Sequence, residues 1–389
     1  HTLSSKNDSL TSSDSAKTAL LVNKYDVFAS AAIENKDEYK IENNLIEATI
    51  SSKGGRITNV RLKKYRTHDS LPLNLFTADS SSFGILFDTE RNRTINTGDL
   101  YFKSSEQSSI GKSKLAMRLY ANGNEEGRSS QYLEYEYALE ADSYMLTYKI
   151  NAVGLQDIIA SNLNELSINW SMRSPTQEKD ITTQQQNSTA YFKYLEEAPD
   201  YLSETSDETK LFEARVKWVA FKQQFFTSVL IADNHFEKTG ADVSSFDVKN
   251  SSSYVKKFST NLTMPYEHKS SETFGMRYYF GPNHFQTLKS YENLNLEKQV
   301  PLGWGIFGWV NKFLVIPIFN FLEGFNLNYA IIILCLTLIF KILLFPIAYK
   351  TYVSSAKMRV LKPEIDEINK KFGNDDAMKK QQATMALYN

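Results

Sequence analysis

Residues 329–349 read YAIIILCLTLIFKILLFPIAY, and this stretch decides how the whole chain is organised. It carries a single charged side chain, Lys341. As an α-helix rising about 1.5 Å per residue it extends about 30 Å, the thickness of the hydrocarbon core of a bilayer. Tyr329 and Tyr349 stand where the two membrane interfaces would fall, a position that tyrosine favours. A buried helix of a large soluble protein explains the length and the flanks less well, so the stretch predicts a transmembrane helix within residues 326–350.

The charges on either side of this helix predict its orientation. Several cations follow it closely: Lys350, Lys357, Arg359, Lys362, Lys370 and Lys371. Before it, Lys312 is the only cation after Pro301. Because positively charged flanks stay in the cytoplasm, residues 351–389 are predicted to be cytoplasmic and residues 1–325 to lie on the other side of the membrane.

Residues 298–325 predict an amphipathic helix that lies in the membrane interface. Large apolar side chains dominate the segment, and Trp304 and Trp309 are of the type that anchors proteins at this depth. Polar side chains fall on one narrow face at helical spacing: Lys312, Asn320 and Glu323. The alternative is a second spanning helix with two charges, but the glycines and the proline of the segment weaken it.

Residues 37–297 predict a mainly β extracytoplasmic domain. Aromatic residues are 13% of the chain and favour half-buried strands. Residues 132–139, 144–150 and 166–170 alternate apolar and polar side chains, as strands of an antiparallel sheet with one solvated face do. We therefore expect a β-sandwich of roughly 250 residues, preceded by a Ser-rich linker over residues 1–36.

Residues 351–389 predict the start of a helical hairpin under the membrane. Apolar side chains recur on one face of its first helix: Leu361, Ile365, Ile368 and Phe372. Gly373 and Asn374 are expected to end that helix, and Asp375 or Asp376 to cap the second one. Because the chain begins in the linker and stops inside this helical pattern, we expect it to be a piece of a longer protein.

Lys341 is the sharpest candidate for a functional side chain. It lies about 13 Å inside the cytoplasmic end of the span, where an amine facing lipid costs at least about 2.5–3.5 kcal/mol. Snorkelling of the side chain toward the interface is one solution. The other is a polar, water-filled groove within the bilayer, closed by helices outside this chain, to which Thr337 also belongs. A cation there could attract acidic or polar parts of a polypeptide.

Pro346 is expected to kink the spanning helix, because it has no backbone N–H to donate. A kink would widen the groove beside Lys341. Equally, the proline marks the last turns before the interface, and the sequence leaves both interpretations open.

Composition and motifs argue against several other classes of protein. The net charge of -1 favours neither nucleic acid nor an acidic ligand. Cys335 is the single cysteine, and the five histidines show no metal-ligand spacing. Neither a nucleophile elbow nor a phosphate loop occurs. We therefore expect no enzymatic activity, no cofactor and no direct contact with nucleic acid.

Residues 331–363, with the text IIILCLTLIFKILLFPIAYKTYVSSAKMRVLKP, resemble the YidC/Oxa/Alb membrane insertase family. Lys357, Met358, Arg359 and Pro363 look like the family's motif at the entry to its cytoplasmic hairpin. Lys341 falls where the family carries its groove cation, usually arginine. Residues 44–65, 218–226 and 279–282 are more weakly similar to the periplasmic domain of the Gram-negative members.

The resemblance implies a fold, a function and a set of partners. The fold is a periplasmic β-supersandwich between the first and second spans of an inner-membrane protein, with one preceding and four following spans outside this chain. The function is insertion and chaperoning of membrane proteins through a groove that holds Lys341 and Thr337. The implied partners are nascent membrane proteins, the lipid bilayer, the Sec translocon (SecYEG and SecDF) and a ribosome or targeting receptor.

Two other functions stay open at the level of sequence. A membrane-anchored glycan-binding protein could use Trp170 or Trp218 in a cleft of the β-domain, although both residues also fit core packing. A single-pass scaffold would end soon after the hairpin.

Overall fold

The computed structural model describes residues 18–33, 36–105, 113–122, 130–325, 327–372 and 377–388. The chain divides into two compact units, residues 1–300 and residues 301–389. Each unit is described by itself below.

The first unit is built from strands. Its described residues form β1 Glu38–Glu42, β2 Ile46–Ser51, β3 Ile57–Arg66, β4 Pro72–Asn74, β5 Ser81–Asp88, β6 Thr94–Asn96, β7 Lys103–Ser104, β8 Lys114–Tyr120, β9 Tyr132–Leu139, β10 Met145–Val153, β11 Glu165–Pro175, β12 Thr189–Tyr194, β13 Asp200–Tyr201, β14 Glu208–Leu211, β15 Val216–Lys222, β16 Phe226–Asp247, β17 Tyr254–Pro265 and β18 Ser271–Pro282. Besides the helical residues 18–25, two short helices, α1 Ile181–Gln186 and α2 Phe285–Lys289, accompany them, with 3-10 turns at Asp26–Ala32, Ala78–Ser80, Thr97–Asp99 and Leu296–Gln299.

The strands form two antiparallel sheets. The smaller has the order β1-β2-β3-β4, and the larger, with fourteen strands, follows the path β6-β5-β11-β17-β16-β18-β10-β9-β8-β7 with β12 to β15 attached to its side. In β11, Ile168, Trp170 and Met172 are buried while Ser167 and Arg173 are exposed. This alternation is what a strand with one core face requires, and the prediction of a mainly β domain is confirmed.

Strand β16 belongs to both halves of the larger sheet. Its first part pairs with β15 and with β18, and its last part pairs with β14 and β17. The register to β17 breaks between Glu237 and Asp242, where Gly240 adopts a positive φ of 62°. A bulge with a left-handed residue bends a strand, so β16 can leave one partner and join another.

The linker prediction for residues 1–36 is wrong over residues 18–33. Residues 18–25 are helical, and Asp26–Ala32 forms a 3-10 helix that packs against the sheet. Phe28 is fully buried with its ring centroid 5.9 Å from that of Phe87, and the Tyr101 N–H donates to the Ala31 carbonyl at 2.7 Å. Burial of Phe28 and this pairing hold the segment on the domain. Residues 1–17 and 34–35 of the predicted linker lie outside the described residues.

The described residues of the second unit form three helices: α3 Gly305–Glu323, α4 Tyr329–Phe372 and α5 Ala377–Tyr388. A π-helical turn, Asn311–Val315, interrupts α3. Helix α4 contains both the predicted span and the first helix predicted for the hairpin, without a break between them.

The hairpin face predicted from the sequence meets α5. Leu361, Ile365 and Ile368 of α4 are half-buried, and the two helices are in contact. The predicted turn and cap at residues 373–376 and the side chain of Phe372 lie outside the described residues.

Candidate functional site

Helix α4 presents an apolar surface whose exposure to water would be unfavourable. Ile342 is 73% exposed and Phe345 is 65% exposed, and this exposure continues around the helix from residue 341 to residue 350. Within the described residues, α3 and α4 are the two helices long and apolar enough to cross a membrane. The core helix of a soluble protein would bury such side chains, so the exposure favours contact with lipid.

Lys341 and Thr337 lie one helical turn apart on the same face of α4. Together with Phe340, Leu344 and Phe345 they line a shallow open hollow along the helix. The Thr337 hydroxyl donates to the Ile333 carbonyl at 2.8 Å, which leaves its oxygen lone pairs to accept from another group. The sequence analysis identified only the two polar residues of this hollow, Lys341 and Thr337. Its apolar residues lie on the same face of α4 because they recur at the same helical spacing.

The amine of Lys341 is exposed and unpaired in the part of the chain that the structure describes. No carboxylate of a described residue lies within ion-pair distance of it. With a helical rise of about 1.5 Å, Lys341 lies about 18 Å from Tyr329 and about 12 Å from Tyr349 along the axis. The cation therefore sits far from both aromatic ends of the apolar stretch.

The predicted interface anchors all expose their rings. Trp304, Trp309, Tyr329 and Tyr349 are each more than half exposed. The Tyr329 hydroxyl donates to the Glu323 carboxylate at 3.0 Å, which ties the start of α4 to the end of α3. A hydrogen bond of this kind at the end of an apolar helix suits an interface, where polar groups still find water.

The proline and hairpin residues stay separate features along α4. Pro346 and Pro363 both lie inside the helix, which continues through them, and the kink at Pro346 stays a prediction. Lys357, Met358 and Arg359 are exposed about two to three turns beyond the apolar stretch. They are too far along the helix to share the hollow with Lys341.

The two tryptophans considered for glycan binding are core residues. Trp218 is fully buried and its indole N–H donates to the Leu294 carbonyl at 2.8 Å. Trp170 is 4% exposed and stacks on Phe221 with ring centroids 4.0 Å apart. Neither ring offers a face to a sugar, so the glycan hypothesis built on them is wrong. Among the described residues there is also no cluster of metal-ligating side chains.

A large β-domain followed by an exposed apolar helix with a basic flank defines a membrane-anchored protein with an extracytoplasmic domain. Comparison with known families makes this more specific. Residues 38–318 match the family model of the YidC periplasmic domain, and residues 321–389 match that of the 60Kd inner membrane protein. The chain belongs to the YidC family, and it is an inner-membrane protein whose β-domain is periplasmic.

Individual relatives agree with the family assignment. The chain is 40% identical over 386 residues to the membrane protein insertase YidC of Parabacteroides distasonis, covering 96% of this chain and 59% of that protein. It thus spans about three fifths of the length of this relative.

Solved structures are more distant. A crystal structure of an active YidC insertase with its first transmembrane domain resolved is 14% identical, with 93% of this chain and 68% of that chain covered and a TM-score of 0.36. A galactose mutarotase-like protein from Lactobacillus casei is 8% identical, with 63% and 100% covered and a TM-score of 0.41.

Proposed function

We propose that this chain is the periplasmic domain, a membrane span and part of the cytoplasmic hairpin of an insertase for inner-membrane proteins. In this proposal Lys341 and Thr337 belong to a hydrated groove that the remaining helices of the whole protein complete. Polar parts of an incoming chain are held there while its apolar segments move into lipid.

The observation that carries the proposal is the position of the Lys341 amine. It lies in the middle of an apolar helix, about two turns from the nearer aromatic boundary, and has no carboxylate partner among the described residues. A charged amine facing lipid at that depth costs about 2.5–3.5 kcal/mol or more. A wet groove removes this cost, because water and the polar segment of a client solvate the amine.

The driving force in this mechanism comes from the client and not from catalysis. Each apolar segment gains about 25 cal/mol per Å² of surface that leaves water, so a span of about 20 apolar residues needs no nucleotide once it reaches lipid. Lys341 lowers the barrier by solvating the polar part that must cross. Since lysine lacks the planar fork of arginine, it holds a carboxylate by charge and not by a bidentate pair.

The partners of the whole protein follow from the same proposal. Nascent membrane proteins are the clients, and the bilayer contacts the exposed faces of α3 and α4. The exposed cations Lys357 and Arg359 place positive charge on the hairpin, where a ribosome or targeting receptor would first meet the protein. Cooperation with the Sec translocon (SecYEG and SecDF) belongs to the proposal as well.

The test is insertion of a dependent client by the full-length protein in membrane vesicles. A charge-assisted hydrogen bond is worth about 1.5–3 kcal/mol, so Lys341→Ala is expected to slow insertion by about tenfold or more. Lys341→Arg keeps the charge and is expected to retain activity. Lys350→Ala is the matched control, since it removes a lysine at the end of the same span.

Two outcomes would count against the proposal. Normal insertion by the Lys341→Ala protein would remove the groove role of the cation. Equal losses in Lys341→Ala and Lys350→Ala would show that the effect does not depend on the position of the cation within the span.

A further inference from the structure

A hollow of about 290 Å³ opens in the β-domain where β16 leaves β18. Residues 226–232 of β16 pair with β18, and from Glu237 onward β16 pairs with β17 instead. Between these points the edge of β18 over residues 271–275 faces no described strand, although its other edge pairs with β10. We call the hollow together with this strand edge the fork.

The fork has an apolar floor and a polar rim that contains charged side chains. The floor is formed by six side chains: Leu133, Ile150, Ala152, Leu166, Met264 and Phe274. On the rim, Lys269 is paired with Glu267, and His235 contacts the Glu237 carboxylate at 2.9 Å. Glu272 also lines the hollow, and its carboxylate accepts from the backbone N–H groups of Glu267 and Lys269. The rim therefore carries more carboxylates than lysines and disfavours an anion, whereas the floor favours an apolar group.

Tyr266 adds a hydrogen-bond donor to the fork. The residue is 4% exposed and lines the hollow, and its hydroxyl is buried without a partner among the described residues. A buried hydroxyl without a partner carries a free-energy penalty. A carbonyl oxygen brought in by a ligand would relieve it.

We propose that the fork binds an extended polypeptide by strand addition to β18. The backbone of the ligand lies along residues 271–275, an apolar side chain enters the hollow, and a ligand carbonyl accepts from the Tyr266 hydroxyl. A free strand edge beside a pocket for alternate side chains is the recognition mode of strand-adding domains.

The volume and the lining of the fork fit an extended polypeptide better than they fit other ligands. Its volume is at the lower end of the range of about 300–1,000 Å³ for small-molecule pockets, which suits one or two apolar side chains. A glycan would need an exposed aromatic face, whereas Tyr266 is buried. The site lies in the first unit and does not involve Lys341, so it holds whether or not the groove proposal is correct.

Binding is tested with the full-length protein in lipid nanodiscs and a fluorescein-labelled eight-residue peptide that alternates valine and serine. Empty nanodiscs give the background. Tyr266→Phe removes only the hydroxyl, so we expect affinity to fall about fivefold, the worth of one neutral hydrogen bond. The melting temperature should stay the same or rise, because a buried donor without a partner is lost. Tyr148→Phe is the matched control, since Tyr148 is also buried but does not line the fork.

Photo-crosslinking locates the bound peptide. A photoreactive residue at Thr273, on the free edge of β18, should form an adduct, whereas one at Thr209, exposed on β14, should not. The proposal is overturned if the peptide binds no better than to empty nanodiscs, if Tyr266→Phe and wild type bind equally, or if both positions crosslink equally. Peptide binding measured on the Lys341→Ala protein separates this site from the groove, because loss of Lys341 function would leave peptide binding intact.

Discussion

The buried ion pair between Lys256 and Asp247 gives a quantitative test of the β-domain. The Lys256 side chain has no exposed surface, and its amine lies 2.6 Å from an Asp247 carboxylate oxygen. The amine also donates to the Glu204 carbonyl at 3.0 Å. Asp247 keeps 25% of its side chain exposed, so water reaches one side of the pair.

Removing one partner leaves the other charge buried. Asp247→Ala would leave the Lys256 ammonium with the Glu204 carbonyl as its remaining acceptor among the described groups. Breaking a buried pair in this way costs about 3–5 kcal/mol, and the water that reaches Asp247 places the expected loss near the lower end, about 3 kcal/mol. Lys256→Met keeps most of the side-chain volume without a charge, so we expect a change of less than about 1.5 kcal/mol.

The assay is urea unfolding of a soluble fragment, residues 18–300, followed by fluorescence of the buried Trp170 and Trp218. Lys257→Met is the matched control, because Lys257 is exposed beside Lys256 and should change stability by less than about 0.5 kcal/mol. If Asp247→Ala costs no more than Lys257→Met, or Lys256→Met costs as much as Asp247→Ala, the reasoning about the buried charge is wrong.

Three further predictions concern other parts of the chain. Burial raises the pKa of the Tyr148 and Tyr278 hydroxyls well above 10. The folded state therefore holds protons that the unfolded state loses, and stability should fall as the pH rises above about 10. Absorbance at 295 nm should change only together with unfolding, and titration of these tyrosines before the protein unfolds would contradict this. Phe28→Ala should cost about 3–5 kcal/mol in the same urea assay, whereas a change below about 1 kcal/mol would mean that residues 18–33 are not part of the core. Pro346→Ala restores a backbone N–H that can donate to the Ile342 carbonyl, so it should straighten α4. The distance between spin labels at positions 333 and 358 should then change, and an unchanged distance would contradict a kink at Pro346.

The sequence was most informative where one face of an element meets water or lipid. In β9 and β11 polar and apolar residues alternate because one face is solvated, and the pattern is local. The span was visible because lipid demands apolar side chains all around the helix. Lys341 and Thr337 stood out as the polar exceptions in that stretch.

Features that depend on distant contacts could not be predicted. Residues 18–33 contain exposed apolar side chains, such as Leu20 and Ile33, as well as buried ones, and Phe28 is buried only because β5 and β8 lie beside it. Lys256 lies between Val255 and Lys257 in β17, and its burial depends on the segment around Glu204. The fork arises from a change of partner along β16, which no local pattern records.

The central claim is that water reaches the face of α4 that carries Lys341. The most direct test compares Thr337→Cys with Leu343→Cys in the full-length protein, with Cys335 replaced by serine, using a membrane-impermeant maleimide added from the cytoplasmic side. Thr337 lies about 9 Å farther from the cytoplasmic end than Leu343, but it shares the face of Lys341, whereas Leu343 is on the opposite face. We expect labelling at position 337 and none at position 343, with Lys341→Ala reducing the labelling at 337. Labelling at 343 without labelling at 337 would mean that depth alone sets access, and the hydrated groove would not exist.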